Sequence, residues 1–343
     1  MKRVIFTIFT LFHVAFCNAQ ENEYVEDFSH KINAKLGIDT KTFSYKVNNS
    51  STNEKYDLKP NESVRLAASV HYRFIGVTIG FSPNFLNDNE GEKLKGESDI
   101  NSIQLRIFIK RFIQEFEYSK IQGFYVDNTA DFDANWIKGT DPFIQLKSLN
   151  VKRFGGKTSF VLNKNFSFKA LLMQNQKQTK STGSFVPSIS YFYSELNNPN
   201  NEFISLDETN FDLNIAGGYI HNFVFGTSKN FFASLGLSPG FGLKFAKNIQ
   251  ADELGIQKQN KETYTNFVFE GRLNLGYNSD KIFTGMQFNV NGVTYNKNQE
   301  TKVEDSNTYF QLYFGYRFGA PKLLERFFDK IHKLPLIWNS IPS

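Results

Sequence analysis

The chain of 343 residues contains 38 Phe and 15 Tyr, yet its mean hydropathy is only −0.39, and no apolar run beyond the N-terminus is long enough for a membrane-spanning helix. Its net charge of +5 is small and dispersed, which argues against a nucleic-acid-binding surface. Cys17 is the only cysteine and lies in the N-terminal segment, so the rest of the chain offers no disulfide and no thiolate metal site.

Residues 1–19 predict a secretory signal peptide. A basic pair and the apolar residues 4–16 come first, and Cys17 and Ala19 then place small residues at the −3 and −1 positions of a cleavage site. We therefore expect the mature protein to begin at Gln20. A lipoprotein signal ending at Cys17 is disfavoured because a bulky phenylalanine precedes it.

The segment after the signal, residues 20–37, carries apolar residues at helical spacing. Val25, Phe28, Ile32 and Leu36 are three or four residues apart, which predicts a short amphipathic helix on the periplasmic side. A solvated leader without a helix is the alternative.

Apolar and polar residues alternate strictly over residues 63–85. In the first half the even-numbered residues, such as Leu66 and Val70, are apolar, and the odd-numbered ones, such as Arg65, are polar or small. The alternation shifts once at residues 74–75. This pattern predicts a β-hairpin with one apolar face and one polar face.

The same alternation recurs through residue 318, and short turns separate some segments while long polar loops separate others. A barrel whose ends lie on one side needs an even number of strands. Because the interval 143–195 is ambiguous, we predict twelve strands, with ten and fourteen as alternatives. The thirteen alternating segments are 38–47, 64–74, 75–85, 103–110, 112–126, 143–162, 166–174, 184–193, 211–219, 231–245, 267–277, 284–290 and 308–318.

These segments predict an all-β fold, a transmembrane antiparallel up-and-down β-barrel of the outer membrane formed by residues 38–318. Its apolar face would contact lipid, and its polar face would line the lumen. Closure leaves no strand edge unpaired in hydrocarbon. The expected partners are outer-membrane lipid and, during biogenesis, the outer-membrane assembly machinery. An aromatic-rich soluble β-protein is the alternative.

The C-terminal tail, residues 319–343, contains a second helical pattern. Residues 321–331 place apolar side chains beside Lys322, Arg326 and Lys330. This predicts a basic amphipathic helix, which would either dock at the membrane surface or pack into the barrel mouth.

Five groups of residues are spread over most of the mature chain. They are Leu58-Lys59-Pro60-Asn61; Val161-Leu162-Asn163 with Asn165-Phe166-Ser167; Gln178 with Ser181-Thr182-Gly183-Ser184-Phe185; Gly217-Gly218-Tyr219; and Tyr316-Arg317-Phe318. In these motifs the chain resembles an uncharacterised family of Gram-negative envelope proteins, domain of unknown function 4421. The resemblance implies an outer-membrane β-barrel and brings no known activity, so it supplies no catalytic residues.

Polar residues on the predicted inward side form the candidate site. They are Arg65, Arg73, Arg106, Lys110, Glu270, Arg272, Asn274 and Arg317. One hypothesis is a basic pore lining that favours anionic solutes. The alternative is a lumen closed by salt bridges. Because cations outnumber carboxylates in this set and unpaired buried charge is costly, we expect the aspartate-rich loop of residues 127–133 to fold inward, supply counter-charges and block the bore.

No enzyme signature is present in the sequence. His30, His71, His221 and His332 lack metal-ligand spacing, and the G-x-S-x-G match at residues 236–240 lies within the alternating segment 231–245 and not at a turn between a strand and a helix. We predict no enzyme, no cofactor and no metal. The expected function is a small or occluded outer-membrane pore. The alternatives are a structural or assembly barrel that binds envelope partners, or a membrane-embedded lipid hydrolase.

Overall fold

A computed structural model describes residues 23–50, 54–61, 64–83, 89–198, 206–251, 257–297 and 301–332. The predicted signal peptide and the cleavage site at Gln20 lie outside these residues. The strands are β1 (Val25–Asp27), β2 (Lys31–Asn49), β3 (Glu54–Lys59), β4 (Val64–Tyr72), β5 (Ile75–Phe81), β6 (Asp99–Ile109), β7 (Phe112–Val126), β8 (Gln145–Phe160), β9 (Gln176–Gln178), β10 (Thr182–Asn198), β11 (Leu206–Phe225), β12 (Phe231–Ala251), β13 (Gln257–Asn278), β14 (Ile282–Asn296) and β15 (Thr301–Gly319). The helices are α1 (Asn89–Lys95), α2 (Phe168–Leu172) and α3 (Lys322–His332). None of the described helices is long and apolar enough to cross a membrane.

Twelve strands form a closed antiparallel barrel, which confirms the predicted fold and strand number. Their order is β2-β4-β5-β6-β7-β8-β10-β11-β12-β13-β14-β15, and β15 pairs with β2 to close the sheet. β3 is an additional short strand that bridges the far end of β2 to β7. The predicted segment 166–174 is not a strand, because it contains α2, and its removal reduces the thirteen segments to twelve.

The two ends of the barrel differ in their connections. At one end, here called the turn end, β4–β5 and β6–β7 are joined by two-residue turns in which Arg73 and Lys110 adopt positive φ angles of 53° and 56°. Lys31 of β2 pairs there with Gly319 of β15, so the barrel begins and finishes at the turn end. Apart from the segment between β8 and β10, the longer connections, including residues 127–144, lie at the other end, the loop end.

The barrel wall has an apolar outer face and a polar inner face. On β13, Leu273 and Leu275 are about 40% and 39% exposed, whereas Asn274 between them is 4% exposed. The same contrast is repeated around the wall, because successive side chains of a strand point to opposite faces. The exposed outward residues include Leu36, Ile38, Val70, Ile79, Ile103, Phe154, Ile189, Ile215, Leu235, Phe241, Phe267, Phe288, Leu312, Phe314 and Phe318, and together they form an apolar belt.

The helix predicted near the N-terminus is absent from the described residues, so that prediction is wrong. Val25–Asp27 is strand β1, which pairs with β9, and β2 begins at Lys31. A spacing of four residues satisfies a helical repeat and also a period of two. Ile32 and Leu36 therefore share the outward face of β2 with Ile38, and strand pairing with β15 decides their conformation.

Candidate functional site: a lumen closed at both ends

The segment between β8 and β10, residues 161–181, folds into the turn end of the barrel and is here called the plug. Its short helix α2 is capped by Ser167, whose hydroxyl accepts a hydrogen bond from the Ala170 amide at 3.0 Å. β9 of the plug pairs with β1. The plug and the inner wall share one apolar cluster: Phe166, Phe168, Leu171, Leu172 and Met173 of the plug, with Phe108, Ile113, Val186, Ile220 and Phe232 of the wall.

The plug holds its own shape through side-chain hydrogen bonds. Gln178 accepts from the Ser167 amide at 2.9 Å and donates to the Asn165 carbonyl at 2.8 Å. Asn163 donates to the Thr182 hydroxyl at 3.1 Å, so the two ends of the plug lie side by side. These residues belong to the motifs in which the family resemblance was recognised, although the alternation predicted a strand at residues 166–174 and no plug.

Arg317 of β15 fastens the plug to the wall. Its guanidinium donates to the side-chain oxygens of Asn33 at 2.7 Å and Asn278 at 2.6 Å, and also to the carbonyls of Gln174 and Ser279. The Gln174 carbonyl belongs to the plug. The guanidinium also lies over the rings of Phe28 and Phe283, at 4.5 and 4.7 Å from their centroids. Arg317 is only 2% exposed, so the whole arrangement is buried.

β4 and the turn after it form a second attachment. His71 Nδ1 lies 2.8 Å from the carbonyl of Met173, and since a carbonyl only accepts, Nδ1 carries the proton. Asn175 donates to the Arg73 carbonyl at 2.8 Å. Gly76, opposite His71, leaves room for the ring, because a Cβ there would lie 2.4 Å from it. The plug is therefore tied to β15 and to β4, which flank β2 in the wall.

Ion pairs cross the lumen between the two ends. Lys41 of β2 pairs with Glu117 of β7 at 3.0 Å, and Lys157 of β8 pairs with Glu270 of β13. Each pair spans three intervening strands, so it bridges the bore and does not run along the wall. Three further inward pairs join neighbouring strands: Arg65–Asp39 at 2.7 Å, Arg106–Glu115 at 2.8 Å and Lys244–Asp212 at 2.9 Å.

The counter-charges do not come from residues 127–133, so that prediction is wrong. Asp127 pairs with Lys59 of β3 at 2.6 Å, and Asp131 and Asp133 are exposed at the loop end. The strands themselves supply the carboxylates. The missed residues Asp39, Glu115, Glu117 and Asp212 stand on the inward parity of their strands, and this was the sequence signal that could have identified them.

The loop end is closed by a hydrophobic core. Tyr56 of β3 stacks on Phe132 of the 127–144 loop, with centroids 5.2 Å apart, and both pack on this core. Its apolar contacts resemble those of a protein interior, so the described residues fill this end of the lumen. The buried members are Tyr45, Leu58, Ile100, Ile121, Phe124, Val126, Leu146, Leu149, Val151, Leu196, Ala246, Tyr264, Tyr295 and Val303.

The inward cations of the described lumen that have no carboxylate within ion-pair distance include Lys35, Arg153, Arg272 and Arg317. Lys35 lies over the Tyr313 ring at 4.9 Å, and Arg272 lies over the ring of Phe168 in the plug at 5.6 Å. Buried amide atoms without a protein hydrogen-bond partner are also found there, on Asn214, Asn266, Asn274, Asn289, Asn307 and Gln311. The space between the two closures is therefore polar, with positive charge in excess locally.

The structure places the predicted site residues in two groups. Arg65, Arg106, Glu270, Arg272, Asn274 and Arg317 lie on the inner wall. Arg73 and Lys110 do not, because they occupy turns, where the alternation of a strand ends. Lys110 instead borders an open cavity of about 850 Å³ between the plug and β1.

Charges of both signs line this cavity. Burial lowers the pKa of the Lys169 ammonium, and Asp27 partly offsets that effect. Among the described residues, no group of three or more His, Cys, Asp or Glu is arranged to hold a metal.

The sequence matches the family model described as Domain of unknown function (DUF4421) over residues 20–318. The chain belongs to this family. The match includes the barrel up to Phe318 and the plug, and it stops before helix α3. No curated protein matches the sequence.

Solved structures to which this chain is similar include two described as outer-membrane proteins and one described as a transporter. The outer membrane protease OmpT from Escherichia coli has 8% identity and a TM-score of 0.38, with 87% of this chain and 100% of that chain covered. The toluene transporter TodX from P. putida has 9% identity and a TM-score of 0.30, with 85% and 91% covered. An outer membrane channel from Pseudomonas putida F1 has 9% identity and a TM-score of 0.32, with 88% and 100% covered.

Proposed function

We propose that this protein is an outer-membrane β-barrel whose lumen is closed at rest, with its turn end in the periplasm. The apolar belt and the arrangement of short turns opposite longer loops support this placement. The predicted signal peptide agrees with export to the envelope. The observation that chiefly supports this proposal is that both ends of the lumen are filled, the turn end by the plug and the loop end by the hydrophobic core.

A passive diffusion pore fits this geometry poorly. A hydrated solute would have to displace the plug, the cross-lumen ion pairs and the loop-end core in turn. Removing either partner of a buried ion pair leaves an uncompensated charge, which costs about 3–5 kcal/mol. The resting barrel is therefore proposed to act as a closed envelope element that presents its loops and its plug surface to partners.

Planar bilayer recordings test the closure. The intact mature protein should show no steady conductance. A variant that lacks residues 164–181 and has a short glycine linker between the adjacent ends Asn163 and Thr182 should show almost no conductance, because the loop-end core persists. The same deletion combined with Leu58→Asp and Leu146→Asp should conduct. A wide, unselective conductance of the intact protein would contradict the proposal and favour a porin.

A gated pore is the second candidate, supported by the polar space between the closures. Lys35 and Arg272 give this space local positive charge, so an opened barrel should prefer anions. The reversal potential of the opened triple variant under a KCl gradient measures that preference. Arg272→Glu in the same background should shift the reversal potential toward cation preference, and an unchanged potential would count against this candidate.

We assign no catalytic role to the described histidines. His71 binds a plug carbonyl, and His221 lies on the outer face of β11 beside Phe223, with ring centroids 4.4 Å apart. A lipid hydrolase would need a histidine hydrogen-bonded to a nucleophile. Assays of the purified protein on phospholipid and lipopolysaccharide, with no product expected, test this assignment.

A further inference from the structure

Helix α3 packs on the outside of the barrel, at the turn end. The Phe328 ring lies 4.9 Å from that of Tyr72 and 5.5 Å from that of Phe74, both in edge-to-face geometry. Ile32 belongs to the same buried cluster, with Ile75 and Leu324 packed against it.

The wall residues in this cluster belong to the outward face. Tyr72 shares its parity with the exposed Val70, and Ile75 shares its parity with the exposed Ile79. Ile32 is likewise on the outward face of β2. The predicted alternative of a helix packed into the barrel mouth is therefore wrong, and α3 lies against the wall beside the apolar belt.

One apolar stripe of α3 remains uncovered. Leu323 is 81% exposed and Phe327 is 58% exposed, and the two residues are one helical turn apart. The neighbouring stripe, Leu324 and Phe328, contacts the barrel. The helix thus has two apolar sides, of which the wall covers only one. We call Leu323 and Phe327 the free stripe.

The charges of α3 are sorted relative to the free stripe. Successive residues are about 100° apart around the helix axis, so the cations lie beside the free stripe, on the side away from Leu324 and Phe328. The carboxylates lie between those cations and the wall. Asp329 there pairs with Arg73 at 2.6 Å, and the Arg73 guanidinium also lies over the Tyr72 ring at 5.4 Å. The exposed cations beside the stripe are Lys322, Arg326 and Lys330.

We propose that α3 is an interfacial anchor for anionic phospholipid, an inference that rests on the proposed membrane placement. The free stripe lies among the acyl chains of the periplasmic leaflet, continuous with belt residues such as Phe318, and the three cations contact phosphate headgroups. This arrangement joins the two attractions that hold amphipathic helices on membranes, apolar burial and charge.

Site-specific fluorescence on the full mature chain tests the anchor. The mature sequence has no cysteine, so single cysteines can be labelled with an environment-sensitive dye. Phe327→Cys reports on the stripe, Leu275→Cys is the belt reference, and Ala134→Cys at the loop end is the water reference. The protein is refolded into vesicles of 70% phosphatidylcholine and 30% phosphatidylglycerol that contain spin-labelled lipid.

Two results would support the anchor. The label at residue 327 should be blue-shifted and quenched by spin-labelled lipid at least half as strongly as the label at 275. Replacing Lys322, Arg326 and Lys330 by Gln should lower that quenching at least twofold, and so should pure phosphatidylcholine vesicles, while the label at 275 stays unchanged.

Other results would overturn it, and they fall into distinguishable classes. Water-like emission at 327 with normal quenching at 275 would mean that α3 is solvated. Blue-shifted emission at 327 without lipid quenching would mean that a protein surface, such as a second copy of this chain, covers the stripe. Loss of quenching at 275 as well would refute the membrane placement itself.

Discussion

Replacement of Arg317 by methionine should release the plug while the barrel stays folded. Methionine has a similar reach but no donor, so the oxygens of Asn33 and Asn278 and the carbonyls of Gln174 and Ser279 lose the guanidinium. A buried acceptor left without a donor costs about 1–3 kcal/mol. If water from the turn end hydrates two of these four acceptors, the other two stay unsatisfied, and the free energy that holds the plug in place falls by roughly 2–6 kcal/mol.

Hydrogen exchange of the barrel in lipid vesicles measures this change directly. Amides of the plug, residues 161–181, should exchange about 30-fold faster or more, since each 1.4 kcal/mol is a factor of ten. Amides of β12 and β13 should keep their protection. Arg326→Met, which removes an exposed cation of α3, is the matched control and should leave the plug unchanged.

Unchanged plug exchange in a folded Arg317→Met barrel would refute the idea that Arg317 holds the plug. If that variant fails to fold, Asn175→Ala provides an independent test, because it removes only the hydrogen bond to the Arg73 carbonyl. That variant should still accelerate exchange in the plug, by about the fivefold expected for one hydrogen bond near 1 kcal/mol.

Three further outcomes are expected. Leu275→Arg, on the belt, should lower the free energy of unfolding in vesicles by about 2–4 kcal/mol, whereas Asn291→Arg, on the inward face, should lower it far less. Equal destabilisation by the two substitutions would mean that the belt is not in lipid. Gly76→Ala should push the His71 ring away from its plug carbonyl, which would appear as faster exchange in the plug, and unchanged exchange would show that the ring has room to move. Deleting residues 127–133 should leave the bilayer conductance near zero, because the plug still closes the turn end and the deleted carboxylates do not neutralise the lumen; a rise would show that this loop blocks the bore.

The period of two along the chain determined the barrel. It set which residues face out on β13 and β15, and it located the hairpin of β4 and β5 and the whole of β7. These features follow from local geometry, since neighbouring side chains of a strand must point to opposite faces whatever the rest of the fold does. The spacing of apolar and basic residues in the segment 321–331 likewise predicted the basic amphipathic helix α3.

Only the tertiary structure decided what fills the barrel. Residues 166–174 are apolar enough for a strand, but they contain α2. Their apolar side chains pack against the inner faces of β6, β7 and β10–β12, and this packing favours the helix over a further strand. The pairs Lys41–Glu117 and Lys157–Glu270 exist because closure brings strands four places apart in the barrel order across a narrow bore. A sequence pattern fixes the face of each residue, but distances between faces appear only when the sheet closes.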